Sequence, residues 1–357
     1  MRLSEVSDER NDNNFNLIRF LAAFAVLISH AWPIALGPGT PEPLEHAVGH
    51  SLGGLAVFVF FATSGFFITV SFARSPGVTS FVMARVLRLF PGLIVSLLLV
   101  TLVMGPLVTD LPLGIYLTHP GTWTAILRNV TLAFPQYTLP GVFETNPYPN
   151  VQGSIWTLIH EVLCYGLVFL AGVAGILRRR RVMTVAILLW FGIWALANIG
   201  WLPVQGRLTR TLSLSLPFVI GMGFWVWRDR LVLNLSVALA LVGLAGLTKG
   251  TPFGFPLLSL AIAYATFWCA YVPKGAIRAF NRLGDYSYGI YIYAFPIQGL
   301  VVWLAGQMGM AISPWSNIAL AFPWTLLCAV LSWHLVEQPA LSLRRGASRV
   351  VSASQPG

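Results

Sequence analysis

Apolar residues run through this chain in blocks of about 20, separated by short polar or basic segments. A helical block of that length spans the roughly 30 Å hydrocarbon core of a bilayer. The pattern predicts an all-α, polytopic transmembrane bundle with ten spans, near residues 15–36, 50–73, 91–109, 153–177, 182–201, 211–228, 231–248, 254–272, 286–306 and 316–336. The segment before the first block is polar and partly acidic and shows no small-residue cleavage site after a short core. This favours a retained helix over a cleaved signal peptide.

Composition and charge support a multi-pass membrane protein with both termini in the cytoplasm. The chain is 56% hydrophobic and 10% charged, against about 25% charged in soluble domains. Of its 22 Lys and Arg residues, 18 lie at the termini, in even-numbered loops or just inside the first helix, and 4 lie on the other side. This spacing explains the net charge of +10 without a nucleic-acid partner. We divide the chain into a cytoplasmic leader (1–14), a transmembrane domain (15–337) and a basic cytoplasmic tail (338–357).

Ionisable residues inside the predicted spans cost several kcal/mol unless they are paired or hydrated, so they are the best candidates for a functional site. Arg19 and His30 lie eleven residues apart on the first helix, which places them on one face with about 16 Å of axial separation. Arg19 lies near the cytoplasmic interface and His30 in the outer half. Taken alone, each has a simpler explanation, because Arg19 can snorkel to phospholipid and His30 can bond a neighbouring helix.

Three further charged residues stand out. Arg85 and Arg88 lie one turn apart at the cytoplasmic end of the third span, where two guanidinium forks suit a phosphate group or simply anchor the helix. Glu161 lies about 12 Å deep in the fourth span, near the level of His30. A carboxylate there needs a partner, and His30 or a buried arginine is the natural candidate; a helix-pinning salt bridge is the alternative. His160 points about 100° away and stays outside the catalytic set.

The remaining candidates are weaker. Asp285 precedes a span and reads first as a helix N-cap, while His334, with Glu337 nearby, lies at the cytoplasmic end of the last span. The chain has no Gly-x-Ser-x-Gly elbow, no phosphate-binding glycine loop followed by Lys, no His-Glu-x-x-His and no paired-cysteine motif. These absences argue against a hydrolase, a nucleoside triphosphatase and a zinc enzyme, and we expect no bound metal.

Five motifs follow one another in a fixed order along nearly the whole chain, from about residue 14 to 337. They are Arg19 with ten residues before His30, Phe61-Ala-Thr-Ser-Gly65-Phe66, Arg85-x-x-Arg88, Ser154-Ile-Trp156-x-Leu158-x-x-Glu161-x-x-x-Tyr165 and Gly284-x-x-Ser-Tyr-x-x-Tyr291. Together they resemble the acyltransferase type 3 family, the polytopic membrane O-acyltransferases that modify bacterial surface glycans and related acceptors.

The resemblance implies an acyl-coenzyme A donor reached from the cytoplasm and an acceptor hydroxyl on the far side of the bacterial inner membrane. His30 would then take the proton of a carbohydrate hydroxyl, and Glu161 would orient its imidazole. The acyl-coenzyme A phosphates would bind Arg19, Arg85 and Arg88. Supporting residues are Ser64, Trp156, Tyr165 and Tyr288. No bound cofactor is expected, since acyl-coenzyme A, with acetyl as the default acyl group, is a substrate.

Three departures from the family pattern matter. Glu161-Val162 replaces two adjacent acidic residues, which leaves Glu161 as the carboxylate at that place. Tyr291-Ile-Tyr293-Ala294-Phe295-Pro296 lacks the histidine that many members have in this segment. The chain also ends soon after its last helix, without the extracytoplasmic hydrolase-like domain of some relatives, and is expected to act as the stand-alone form.

Two other readings of the same residues stay open. In a glycan or lipid-linked sugar transporter or flippase, the intramembrane charges would form a translocation path, although missing repeat symmetry and a one-sided cationic cluster count against it. A catalytically silent membrane partner is the second. Within the acyltransferase reading, direct transfer and an acyl-histidine intermediate both fit, and the sequence fixes neither the acceptor nor the oligomeric state.

Overall fold

The computed structural model describes residues 1–7, 12–74 and 77–343, whose regular elements are helices, with isolated β-bridges at Arg2–Val232 and Thr109–Val142. Ten long helices follow the order of the ten predicted blocks, and the all-α prediction is confirmed. They are α1 Phe15–Leu36, α2 Leu52–Ala73, α3 Val78–Leu99, α4 Leu158–Val173, α5 Arg180–Asn198, α6 Arg207–Val226, α7 Leu235–Leu247, α8 Gly254–Tyr271, α9 Ser287–Gln307 and α10 Pro314–Ser332.

The third helix differs most from its predicted bounds. It begins at Val78 rather than at residue 91 and continues through Pro91 into a π-helical turn, Val100–Met104. Pro91 therefore does not end the helix. In a membrane helix, neighbouring groups and local π adjustments can satisfy the carbonyl that proline leaves without an N–H donor. Arg85 and Arg88 consequently lie inside α3.

Two other boundaries were wrong. The last helix passes from α10 into a π-helical turn, Trp333–Glu337, and the apolar segment extends to Leu343 rather than ending at residue 336. The predicted helix 231–248 is shortened to α7, because the side chain of Asn234 caps its first turn by accepting a hydrogen bond from the backbone N–H of Ser236 at 2.8 Å.

Eight helical segments within the described residues are long and apolar enough to cross a membrane. The two others are α6, which carries Arg207 and Arg210 in its first turns, and α7, whose 13 residues span only about 20 Å. The chain is thus a multi-pass membrane protein. Ten spans and cytoplasmic termini stay predictions; Arg10 and residues 344–357 of the basic tail lie outside the described residues.

The chain divides into two compact units. The first unit comprises Met1–Ala22, Leu44–Val78 and His160–Leu283; the second comprises Ala23–Pro43, Thr79–Ile159 and the described residues from Gly284 onward. The boundary falls inside α1, so Arg19 belongs to the first unit and His30 to the second. A second boundary inside α4 assigns Glu161 to the first unit.

Glycines set the closest helix packing in the first unit, where α2 crosses α6. A Cβ atom added to Gly65 would clash with the carbonyl oxygen of Phe218, and one added to Gly221 would clash with that of Ala62. Without a side chain, the two backbones come into direct contact, which is the usual packing of small residues between membrane helices.

The leader is packed against the first unit. Its short helix, Leu3–Ser7, buries Leu3 completely, and the backbone N–H of Leu3 donates to the carbonyl of Leu231 at 2.8 Å. Further along, the side-chain amide of Asn14 donates to the carbonyls of Cys269 and Pro273 at 3.0 and 2.9 Å. These bonds fasten the start of α1 to the end of α8.

The long segment between α3 and α4 is folded within the second unit. Tyr116 is fully buried in an apolar cluster with Phe143, and its hydroxyl donates to the carbonyl of Thr101 at 2.7 Å. Burial raises the pKa of Tyr116 to about 12, so this hydroxyl stays a neutral donor. The side chain of Asn146 donates to the carbonyl of Gly299 in α9 at 2.9 Å. These contacts hold the end of the loop against α9.

Candidate active site

Glu161 lies in the first turn of α4, and its carboxylate is hydrogen-bonded by hydroxyl groups. Its Oε1 atom accepts from Ser64 of α2 at 3.1 Å and from Tyr165, one turn further along α4. The structure therefore brings two of the predicted supporting residues to the predicted carboxylate. Where the sequence suggested an imidazole or guanidinium partner, the first unit supplies two O–H donors to one oxygen.

The segment Phe61 to Phe66 explains how Ser64 reaches Glu161. Gly65 permits the backbone contact between α2 and α6. The hydroxyl of Thr63 donates back to carbonyls of its own helix, that of Val59 at 2.9 Å and that of Phe60 at 3.0 Å. Ser64 lies between Thr63 and Gly65, and its hydroxyl donates to Glu161 on α4 rather than to its own helix.

His160, which the sequence analysis left outside the catalytic set, forms a hydrogen bond to a neighbouring helix. Its Nδ1 atom lies 2.7 Å from Oγ1 of Thr211, and that hydroxyl donates its proton to the carbonyl of Arg207 at 2.9 Å. Because a hydroxyl has one proton, Nδ1 of His160 must be the donor in this pair. The imidazole links α4 to α6 and is buried.

Arg19 is the fifth residue of α1 and is half-buried. The helix start below it is fixed by the Asn14 bonds and by the backbone N–H of Asn14, which donates to the carbonyl of Ala270 at 2.8 Å. Arg19 thus belongs to a well-anchored turn of the first unit. Its role in binding the acyl donor stays a prediction.

His30 lies on α1 in the second unit, and its ring packs edge-on against Phe295 of α9, with ring centroids 5.3 Å apart. Its Nδ1 atom is buried and has no hydrogen-bond partner in the described part of the chain. Most buried polar atoms in proteins are paired, and leaving one unpaired costs about 1–3 kcal/mol. Nδ1 is therefore well suited to a hydrogen bond with a bound reactant.

Apolar side chains surround the next turn above His30. Ile34 and Ala35 of α1 are buried against Phe295 and Val302 of α9, and Tyr148 packs against this cluster. A weakly polar environment strengthens the electrostatic interactions within it. It also limits water access, which favours transfer to a bound acceptor over hydrolysis.

A short 3-10 helix, Gly153–Thr157, lies against the same phenyl ring. A Cβ atom on Gly153 would clash with Phe295, so only glycine allows this approach. The hydroxyl of Tyr291 donates to the carbonyl of Ser154 at 2.9 Å and lies 2.6 Å from Oγ1 of Thr157. These bonds fix the turn that carries Trp156, a half-buried supporting residue of the second unit.

Arg88 is held by acidic and aromatic side chains of the second unit. Its Nη2 atom lies 2.5 Å from Oδ2 of Asp285, and its Nη1 atom lies 3.9 Å from Oε2 of Glu337. The ring centroids of Tyr288 and Trp333 lie 6.0 and 5.9 Å from its Cζ atom. The hydroxyl of Tyr288 donates to the carbonyl of Leu89 at 2.7 Å. Part of the hydrogen-bonding capacity of Arg88 is thus used within the protein.

Two acidic residues have roles that the sequence did not indicate. The N-cap of α9 is Tyr286, so Asp285 is not the cap; it accepts from the hydroxyl of Ser287 at 2.5 Å and pairs with Arg88. Glu337 is 1% exposed and accepts from the hydroxyl of Ser332 at 2.9 Å. A carboxylate within an apolar block was the available signal, but the helix end predicted at residue 336 concealed it.

The predicted site residues fall in both units. Arg19, Ser64, Glu161 and Tyr165 belong to the first, and His30, Arg85, Arg88, Trp156 and Tyr288 to the second. The pairing of His30 with Glu161 stays a prediction. Within the described ranges, no three His, Cys, Asp or Glu side chains come together as a metal site requires.

Apolar spanning helices, an imidazole with a buried, unpaired Nδ1 atom in the second unit and a hydroxyl-bonded carboxylate in the first define a polytopic membrane protein with candidate acid–base groups. Residues 12–334 match the acyltransferase type 3 family, described as an acyltransferase domain, and the chain belongs to this family. The resemblance seen in its motifs is confirmed.

Two relatives are similar over almost their whole length. The "O-acetyl transferase" of Shigella phage Sf6 is 28% identical over 340 residues, which cover 92% of this chain and 96% of the relative. "Nodulation protein 10" of Rhizobium leguminosarum bv. viciae is 28% identical over 367 residues, which cover 93% and 94%. No solved structure matches the chain.

Proposed function

We propose that this protein is an O-acetyltransferase of the bacterial inner membrane. It transfers an acetyl group from cytoplasmic acetyl-coenzyme A to a hydroxyl of a cell-surface or exported carbohydrate. The family supports acyl transfer, and the name of the phage relative supports O-acetylation. The excess of basic residues on the predicted cytoplasmic side supports the orientation.

The observation that carries the proposal is the buried, unpaired Nδ1 atom of His30. A neutral imidazole can accept the proton of an attacking hydroxyl, a contribution typically worth 10²- to 10⁴-fold in rate. The apolar cluster of Ile34, Phe295 and Val302 adjoins this imidazole, whose Nδ1 atom is buried. A structural histidine of this protein, His160, has its Nδ1 atom paired, which makes the difference at His30 informative.

The transfer step conserves atoms and charge. The acceptor oxygen attacks the thioester carbonyl carbon while its proton passes to His30. The tetrahedral intermediate then collapses, the carbon–sulfur bond breaks, and the imidazolium returns the proton to the coenzyme A thiolate. The products are an acetyl ester and coenzyme A. An acyl-histidine intermediate would instead require His30 to attack the thioester itself.

Arg19, Arg85 and Arg88 are the proposed donor-binding residues. Guanidinium groups bind phosphate through paired, charge-assisted hydrogen bonds, and the pantetheine arm is long enough to carry a thioester far from these phosphates. Arg88 is also held by Asp285. We therefore assign it the additional task of fixing the α3 segment that presents Arg85.

Glu161 is proposed to act through its negative charge, which favours the imidazolium that forms on His30. Ser64 and Tyr165 hold its Oε1 atom in place. The carboxylate therefore keeps one orientation without needing the imidazole as a hydrogen-bond partner.

Acetyl transfer by the purified protein tests the proposal. The full chain in lipid nanodiscs is incubated with radiolabelled acetyl-coenzyme A and with surface polysaccharide. The polysaccharide comes from a strain in which the gene for this protein is deleted. We expect label in the polysaccharide and an equal release of coenzyme A thiol. His30→Ala should abolish both signals, whereas His46→Ala, which changes an exposed histidine, should retain them. Absence of thiol release in nanodiscs, together with glycan transport by the same protein in sealed proteoliposomes, would identify a transporter and overturn the proposal.

A further inference from the structure

Two side chains that flank Gly153 in the chain are buried with unpaired polar atoms. Gln152 is 3% exposed, and neither its Nε2 nor its Oε1 atom has a hydrogen-bond partner among the residues described. Ser154 is 0% exposed, and its Oγ atom is likewise unpaired within that part of the chain. Leucine and alanine would fill comparable volumes without this desolvation cost. The Gln152 amide and the Ser154 hydroxyl are therefore suited to a ligand that forms hydrogen bonds with them.

One aromatic ring, that of Phe295, connects the segment of Gln152 and Ser154 with His30. These two residues flank Gly153, whose backbone lies against one part of the Phe295 ring, while the His30 ring packs edge-on against the same ring. Gly153 and the proposed base therefore contact the same phenyl group. All of these residues belong to the second unit.

The backbone around Gln152 and Ser154 is fixed by other contacts. The N–H groups of Val151 and Gln152 donate to the carbonyl of Tyr137 at 2.7 and 3.2 Å. The carbonyl of Ser154 accepts from the hydroxyl of Tyr291. Because the main chain needs neither side chain for its own hydrogen bonds, the amide and the hydroxyl are presented on a rigid support.

The chemistry of these groups indicates a neutral, hydroxyl-rich ligand. A carboxamide offers two N–H donors and one carbonyl acceptor, and a serine hydroxyl offers one donor and accepts as well. Adjacent hydroxyls of a sugar ring have the same mixture of donors and acceptors. A phosphate or carboxylate would be better served by cationic groups or by donors alone.

We propose that Gln152 and Ser154 form the acceptor subsite. The Gln152 amide bridges two neighbouring hydroxyls of a carbohydrate ring, and Ser154 binds a further oxygen, so that the reacting hydroxyl lies at Nδ1 of His30. This inference rests on the proposed function, because it requires a carbohydrate acceptor.

Gln152→Leu and Ser154→Ala test the subsite, with Gln136→Leu as the matched control. Gln136 lies in the same loop, but its amide is satisfied: its Nε2 donates to the carbonyls of Gly121 and Thr138, and its Oε1 accepts from Thr124. Initial rates are measured with acetyl-coenzyme A and the polysaccharide of the deletion strain as probes, together with the thermal midpoint Tm. Binding of acetyl-coenzyme A is measured by calorimetry.

We expect Gln152→Leu to raise the acceptor KM about 10- to 100-fold and Ser154→Ala about 3- to 10-fold, with acetyl-coenzyme A affinity unchanged. Gln152→Leu should not lower Tm, because no internal hydrogen bond is lost. Gln136→Leu should do the opposite, lowering Tm while leaving the acceptor KM unchanged.

The outcomes separate this inference from the proposed function. If the wild-type protein transfers acetyl groups and both variants keep the wild-type acceptor KM, the subsite is wrong and the proposed function stands. A lower Tm or loss of folded protein in Gln152→Leu, together with an unchanged KM in Ser154→Ala, would show a structural role and also overturn it. Absence of transfer by the wild-type protein would remove both proposals.

Discussion

The surroundings of Glu161 and of His30 differ in how their polar atoms are satisfied. One carboxylate oxygen of Glu161 accepts from Ser64 and Tyr165, so this region of the first unit is closed by internal hydrogen bonds. In the second unit, Nδ1 of His30 and the side-chain polar atoms of Gln152 and Ser154 have no hydrogen-bond partners within the described residues. Polar groups with an internal hydrogen-bond partner are positioned by the protein, whereas polar groups without one are available to bind reactants.

This difference indicates different roles for Glu161 and His30, which the sequence places at similar depth in the membrane. A hydrogen-bonded carboxylate contributes a fixed charge. An unpaired imidazole at the edge of an apolar cluster can exchange a proton with whatever binds there. Substitutions that change charge, geometry or hydrogen bonding separately distinguish these roles.

The largest expected effect is that of His30→Ala. The rate of acetyl transfer should fall about 10²- to 10⁴-fold because the base is lost, while Tm should change little because Nδ1 has no internal hydrogen bond to lose. Initial rates and thermal unfolding in nanodiscs check this. A well-folded variant with most of its activity would show that the open imidazole is not the base.

Glu161→Gln comes next, because it removes the charge but keeps a carbonyl oxygen that accepts from both hydroxyls. We expect the catalytic rate to fall about 10- to 100-fold, through loss of favourable electrostatics toward an imidazolium, with Tm nearly unchanged. Glu161→Ala should in addition lower stability by about 1–3 kcal/mol, since two hydroxyls lose their acceptor. Full activity in the Gln variant would reduce Glu161 to a structural residue.

Arg85 and Arg88 extend the comparison to the predicted cytoplasmic end of the second unit. Arg88→Gln removes the guanidinium that pairs with Asp285 and lies near Glu337 and should lower stability by about 1–3 kcal/mol, a range that allows for the partial exposure of the pair. The double variant Arg88→Gln/Asp285→Asn should recover part of this loss. Chemical unfolding of the purified variants measures both effects.

Arg85→Gln should instead weaken acetyl-coenzyme A binding about tenfold, and Arg85→Lys should rescue only part of it, because lysine keeps the charge but loses the planar fork. Calorimetric titration is the test. Complete rescue by lysine, or unchanged affinity in Arg85→Gln, would mean that Arg85 only anchors α3.

The apolar blocks predicted the helices well because bilayer thickness sets the length of a span, and an apolar run of that length is visible in the sequence alone. They failed at Pro91 and at Glu337, where packing rather than hydropathy decides whether a helix continues. A proline at a helix start and one inside a packed membrane helix have the same local signature, and the groups that satisfy the freed carbonyl are distant in sequence.

The sequence indicates candidate site residues where an ionisable side chain stands out against apolar neighbours. His30, Glu161 and the arginine pair were selected for that reason, and their roles stay predictions. Neutral polar residues give no such signal: Gln152 sits among loop residues and Ser154 within a motif, and only their burial without partners marks them. The partner of Arg88 was also hidden, because Asp285 lies 197 positions away in the chain.

Ser64→Ala and Tyr165→Phe should have the smallest effects and give the sharpest test of the closed cluster. Each removes one donor and leaves Oε1 of Glu161 with the other, so each alone should reduce the catalytic rate only a few-fold, in keeping with about 0.5–1.5 kcal/mol for a single hydrogen bond. The double variant strips both donors from the same oxygen and should lose more than the sum of the two singles. The excess should be about 1 kcal/mol or more in a double-mutant cycle on transfer rates. Strict additivity would mean that the two hydroxyls act independently of the carboxylate. The contrast between a hydrogen-bonded Glu161 carboxylate and an unpaired Nδ1 atom of His30 would then no longer explain the roles of these two residues.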